Sequence, residues 1–196
     1  MLLYLHHQNR NTWASSVCFL LHKYGFQEVW ENQGVGDVKG FLKALRCKLI
    51  NEYIGQWQSH LDDSERFSLY RTFKSDHTLA KYLLDLKHIH ARVSLIRFRL
   101  GVSQLKGHKL RFRTKLREVD LACPFCKFQR ETEVHFVLKC PKYDNLRYQY
   151  IPAKYYNNPC LFKLTLLLAC ENKSVIMRLS LFLEKAFNER YLNMIE

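Results

Sequence analysis

The stretch CPFCKFQRETEVHFVLKC, Cys123 to Cys140, places three cysteines and a histidine in the spacing Cys123-x2-Cys126-x8-His135-x4-Cys140. Two cysteines three apart around Pro124 form a tight turn whose thiolates can clasp one metal. A helix beginning near Glu131 or Thr132 would present His135 from its first turns, and Cys140 would close the set just before Pro141. Three thiolates and one imidazole suit zinc, which accepts tetrahedral sulfur and nitrogen. With all four positions filled by protein there is no place for an activated water, so the expected zinc is structural. The plain alternative is two incidental cysteines, a surface histidine and a core cysteine. Four ligand-type residues within eighteen positions weigh against it. The spacer of eight between Cys126 and His135 is longer than the four of retroviral zinc knuckles, so that compact geometry does not carry over.

Just upstream, the charge is uneven. The net charge of +13 divides into +1 over residues 1–80, +9 over 81–118 and +3 over 119–196, so most of the excess lies in under a fifth of the chain. A concentrated basic tract is the footprint of a polyanion-binding surface. In HKLRFRTKLR, Leu110, Phe112 and Leu116 alternate with Lys109, Arg111, Arg113, Lys115 and Arg117. An extended segment would put those five cations on one side. Before it, Leu79, Tyr82, Leu83, Leu86, Val93, Ile96 and Leu100 step by threes and fours to Gly101, which predicts one long helix with Lys81, His88, Arg92 and Arg99 on the opposite face. The expected phosphate contacts are Arg92, Arg97, Arg99, Lys106, Lys109, Arg111, Arg113, Lys115 and Arg117. Phe125 and Phe128 are candidates for base stacking, although in so small a module its core is the favoured place for them.

Four regions are expected: helices over 1–76, the basic helix and extended segment over 77–118, the CCHC zinc module over 119–150, and carboxy-terminal helices over 151–196. In the first region, Asn11 or Thr12 can cap a helix carrying Trp13, Val17, Leu20, Leu21 and Tyr24, with Gly25 beyond its end. ENQGVGD reads as a turn and not as a phosphate loop, since no strand precedes it and no Lys-Ser/Thr pair follows. Asp37 caps a longer helix marked by Phe41, Leu42, Leu45, Leu49, Tyr53 and Trp57, and a short one follows from Ser64. The last region is expected to hold helices near 160–170 and 174–194. The fold class is mostly α: a helical bundle with a small CCHC zinc-knuckle-like module and further carboxy-terminal helices.

The seven cysteines are odd in number and scattered, with no secretory signal before them, which favours reduced thiols. Cys18, Cys47, Cys160 and Cys170 lie among apolar residues and are expected to be buried. With no run of 18 apolar residues, a membrane span is not expected. The chain is expected inside the cell, nuclear or cytoplasmic.

CPFCKFQRETEVHFVLKCPKYDNLR resembles the carboxy-terminal zinc-binding segment of non-LTR (LINE-type) retrotransposon reverse transcriptases, where C-x2-C, E-T-x-x-H-F-x-x-x-C-P and a following Tyr and Arg recur. LIRFRLGVSQL is similar to the stretch preceding that segment, and the N-terminal part from Trp13 to Lys74 is similar to the helical region between polymerase and zinc segment. The resemblance implies that Cys123, Cys126, His135 and Cys140 are the ligands. It also implies that the partners are template RNA or target DNA, and that the helices can dock on the rest of the reverse transcriptase polyprotein. The family's polymerase uses a Tyr/Phe-Ala-Asp-Asp turn with a distant carboxylate to hold magnesium. The one Asp-Asp here, Asp62-Asp63, reads as the end of a helix, and no endonuclease constellation is evident, so catalysis is not expected.

Overall fold

The computed structural model describes residues 13–109, 118–127 and 129–193. The described residues are predominantly helical and contain no strand; one antiparallel β-bridge joins Ala122 to Arg130. The chain divides into two units, Met1–Ser59 and His60–Glu196.

In the first unit, α1 (Trp13–Lys23) ends because Gly25 takes a left-handed φ of +73°. That conformation lets Phe26 N–H reach Leu21 O at 2.7 Å and Gly25 N–H reach His22 O at 3.1 Å, satisfying carbonyls that the helix leaves open. α2 (Gln27–Glu31) follows at once and brings Trp30 onto Ala14, Cys18 and Leu21, with Phe26 meeting Phe41 edge-on at 5.1 Å. The buried face of α1 is thus Ala14, Cys18 and Leu21; Trp13, expected on it, is 70% exposed. The spacing identified the helix, but its inward face is the one on which the Trp30 indole packs.

ENQGVGD is an irregular turn, as expected, and α3 (Val38–Asp63) begins where Asp37 Oδ1 accepts from Gly40 N–H at 3.0 Å. Lys23 Nζ and Tyr24 O–H both reach the Glu52 carboxylate at 2.5 Å, tying α1 to α3. Leu42, Leu49 and Tyr53 of the expected apolar stripe lie exposed, and so does Cys47.

In the second unit, a 3-10 turn (Glu65–Phe67) leads to α4 (Ser68–Arg71), then α5 (Tyr82–Asp85), α6 (Ile89–Arg99), α7 (Lys106–Lys109) and α8 (Glu118–Leu121). After the cysteine segment come α9 (Asp144–Tyr150), α10 (Ala153–Tyr156), α11 (Leu161–Ala169) and α12 (Lys173–Leu192), the last started by Asn172 Oδ1, which accepts from Ser174 and Val175 N–H. The long helix expected over 79–100 is two helices. The backbone turns extended at Leu86 and His88, with ψ of 100° and 105°. His88 Nδ1 then caps α6 by accepting from Ala91 N–H at 3.3 Å, and the Arg92 guanidinium closes the break by donating to Leu83 O and Leu86 O, each at 3.1 Å.

One core serves this unit. Leu95 and Phe98 of α6, Leu164, Leu167 and Leu168 of α11, and Leu179, Phe182 and Leu183 of α12 are buried together with Phe136, Val137, Leu138 and Tyr143 from the cysteine segment. Residues 119–150 therefore share their core with the carboxy-terminal helices instead of standing apart as a module, and 60–76 belong with this unit. Cys160 is exposed and Cys170 half-buried, contrary to the expectation of buried thiols.

Candidate metal centre

The bridge between Ala122 and Arg130 makes a short hairpin, with Cys123 N–H donating to Gln129 O and Glu131 N–H to Leu121 O, both at 2.8 Å. Its tip turns back when Lys127 N–H reaches Cys123 O at 3.0 Å, with Lys127 in the left-handed region at φ +59°. The hairpin sets the Cys123 and Cys126 side chains at one end. Thr132 Oγ1 then accepts from His135 N–H at 3.1 Å, starting the helical turn where the sequence led one to expect it. Residues His135–Lys139 form a π-helical turn, closed by Cys140 N–H on His135 O at 2.7 Å. That wide turn sends Phe136, Val137 and Leu138 into the core and returns Cys140 beside His135.

The ligand atoms of Cys123, Cys126, His135 and Cys140 all lie within 4.8 Å of one another, as the spacing predicted, and this group could hold a metal ion. Cys123 Sγ is 3.8 Å from Cys140 Sγ, and Cys126 Sγ is 3.3 Å from His135 Nε2. An ion held tetrahedrally by bonds of about 2.3 Å to sulfur and about 2.0 Å to nitrogen would set those edges near 3.8 and 3.5 Å. A disulfide would need the sulfurs at about 2.0 Å. His135 Nδ1–H donates to Gln129 Oε1 at 3.1 Å, which leaves the Nε2 lone pair toward the cluster. The hydrogen bond between the two thiols lowers Cys123 and raises Cys140, with burial adding to the rise of Cys140. A bound cation would displace the protons that remain on them.

Buried charges brace the cluster, and spacing did not reveal them. The Arg147 guanidinium donates to Val137 O at 2.9 Å, to Cys140 O at 2.7 Å and to Asp144, adding to the Tyr143 N–H that Cys140 O accepts at 3.2 Å. Glu131 pairs with Arg190 of α12 and also accepts Lys106 N–H at 2.8 Å. His108 Nε2 meets Glu133 Oε1 at 2.8 Å while its Nδ1 meets Ser103 Oγ at 2.6 Å, so the 103–108 turn is fastened to the segment that carries His135. The one signal for any of these was the Tyr and Arg of the quoted pattern, here Tyr143 and Arg147.

The expected phosphate contacts divide. Arg99 is corrected: it is 7% exposed, lies 4.3 Å from the Tyr82 ring and 5.0 Å from that of Phe73, and donates to Leu168 O, so it is a core residue. Arg92 spends its guanidinium on Leu83 O and Leu86 O. Arg97 and Lys109 are exposed, and Lys106 is half-buried. Arg111, Arg113, Lys115 and Arg117, with the extended form expected for them, lie outside the described residues, as does Phe128. Phe125 is half-buried, edge-on to Tyr143 at 6.0 Å with the Arg190 guanidinium 5.7 Å from its ring centre, which is a packing role and not an open stacking platform.

No family model, no curated protein and no solved structure matches the chain. No helix among the described residues is long and apolar enough to cross a membrane.

Proposed function

We propose that this chain is a non-catalytic nucleic-acid-binding module in which a structural zinc ion holds a basic surface for single-stranded RNA or DNA. Its type is the carboxy-terminal region of a non-LTR retrotransposon reverse transcriptase. The observation that carries this reading is the closed Cys123, Cys126, His135, Cys140 cluster, whose donors and whose edges of 3.8 Å and 3.3 Å suit zinc, directly after the +9 tract. Zinc would supply the cross-link that a hairpin and one π turn lack. Arg147 and Glu131 steady the same segment from within. The basic residues that remain exposed would meet phosphates, which gives affinity without much sequence preference.

The test is metal analysis of the purified chain together with a salt titration against single-stranded RNA, single-stranded DNA and duplex DNA. The expected result is one zinc per chain and, for about 5 neutralised phosphates, a log-log salt slope near −3 to −4 from roughly −0.7 per contact. Binding that ignores salt, or a chain without metal, overturns it.

A second reading, a protein-interaction scaffold, is favoured by the exposed Leu42, Leu49 and Tyr53 of α3. A monomer that binds no apolar dye argues against it.

A further inference from the structure

Among the described cations that the sequence offers as phosphate contacts, Arg92 and Arg99 are spent inside the fold while Lys109 and Arg97 stay exposed, and Arg97 is the informative one. It is exposed, has no internal partner among the described residues, and lines a cleft of about 310 Å³ between α6, the 102–104 turn and the end of α12. Around it stand Ser103, Gln104, Phe187, Asn188 and Tyr191. The volume is at the lower end of the range for sites that take small organic groups. Its chemistry is mixed in a particular way: one guanidinium, one phenol ring that is 57% exposed, two primary amides, and an aromatic floor.

We infer that this cleft receives one unpaired nucleobase of a single strand, with Arg97 on the adjoining phosphate and Tyr191 against the face of the base. The inference rests on the nucleic-acid reading above and gives it an address. A guanidinium matches a phosphate by charge and fork geometry. A phenol ring offers a stacking surface to any base. Gln104 and Asn188 each bring a carbonyl oxygen and an NH2 group, the complement of base edges. A duplex presents neither a free base face nor a free edge of that kind, so the site selects unpaired strands.

The cleft is also built rigidly on the metal segment. Phe187 stacks on Phe136 at 4.9 Å, and Phe136 follows the ligand His135 in the chain. On the other wall, Ser103 is held by His108, and His108 by Glu133. The groups facing a bound base are therefore fastened from both sides to the turn that carries His135.

The experiment uses the full, metal-loaded chain and short single strands of RNA or DNA carrying one 2-aminopurine. The same strand with an abasic position and the matching duplex complete the set. Binding should quench the 2-aminopurine emission. Tyr191→Ala should abolish the quench and weaken binding about tenfold, the scale of one base–aromatic stack, while Tyr191→Phe stays near wild type. Arg97→Gln should lower the salt slope by about 0.7, one phosphate contact. Both side chains are exposed, so far-UV circular dichroism and metal content should not change. If the wild type binds with the expected salt dependence but Tyr191→Ala and Arg97→Gln bind within twofold of it and 2-aminopurine stays bright, the cleft is not the site and the broader reading survives. An abasic strand bound as tightly as the intact one has the same meaning. If the wild type binds no single strand even at low salt, the broader reading itself fails.

Discussion

Arg190 and Glu131, fifty-nine positions apart, meet as a two-pronged ion pair in which each side chain is 1% exposed. Burial pushes the Glu131 carboxyl above its usual range, even though the Lys106 N–H and the Arg190 charge favour its ionised form. Arg190→Met should cost about 3–5 kcal/mol at neutral pH, because it strands a buried carboxylate. In that variant the folded state holds a proton that the unfolded state gives up, so stability should rise as pH falls from 7 to 5. The double change Arg190→Met with Glu131→Met should cost much less than the single one. Urea unfolding at the two pH values measures all three.

Removing the metal, or replacing Cys126 by Ser, should loosen more than the cysteine segment. Phe136, Val137 and Leu138 sit in the same core as α6, α11 and α12. Hydrogen exchange should therefore show lost protection over 120–147 and weakened protection in α12, with a stability loss of several kcal/mol, while α1 and α2 stay unchanged. Unaltered exchange after chelation would contradict a structural metal.

Arg147→Ala should destabilise the second unit by about 1–3 kcal/mol, since it removes the guanidinium bonds to the buried Val137 and Cys140 carbonyls, of which Cys140 O keeps the Tyr143 N–H. Arg147→Lys should rescue little, because an ammonium lacks the planar fork that reaches both. The readout is the urea midpoint, with chelator sensitivity rising in parallel.

Arg99→Leu and Arg97→Gln should separate cleanly. Arg99 lies over two rings and holds Leu168 O, so its loss should cost about 2 kcal/mol of stability and leave the oligonucleotide salt slope unchanged. Arg97→Gln should do the reverse. A slope altered by the Arg99 change without loss of stability would return it to the phosphate surface.

Glu52 gives the first unit an acid response. Its hydrogen bonds from Lys23 and Tyr24 hold its carboxyl below the usual glutamate value. A lowered folded value means that its contribution is complete above the ordinary glutamate range and disappears as pH falls through the lowered one. Exchange protection of α1 should fall in acid, less so at high salt, and Glu52→Gln should remove the dependence.

Much of this was legible in the sequence because it depends on near neighbours. Asp37, Gly25 and Thr132 act over one turn, and the four candidate metal ligands lie within eighteen residues. What stayed hidden depends on distant partners. Nothing near Arg99 announces Phe73, Tyr82 or Leu168, so a cation at helical spacing reads as surface until the fold folds it inward. The break at Leu86–His88 was missed although its fastening is local, because apolar periodicity carries no signal for a guanidinium that reaches back six and nine residues to the freed carbonyls. The face of α1 was misread because periodicity marks where apolar residues recur and not which of them the Trp30 indole covers.

The π turn between His135 and Cys140 makes chain length itself a ligand requirement. One backbone hydrogen bond, spanning five residues, joins the two. Deleting one residue from 136–139 would let the same bond close as an α turn, which keeps the two ends together because residues four apart share a helix face. Adding one would separate them by six positions, which neither an α nor a π turn closes. A single-codon insertion there should abolish metal binding even when every cysteine and histidine is kept, so a search for related chains should admit no longer interval before it demands identity at the residues within it.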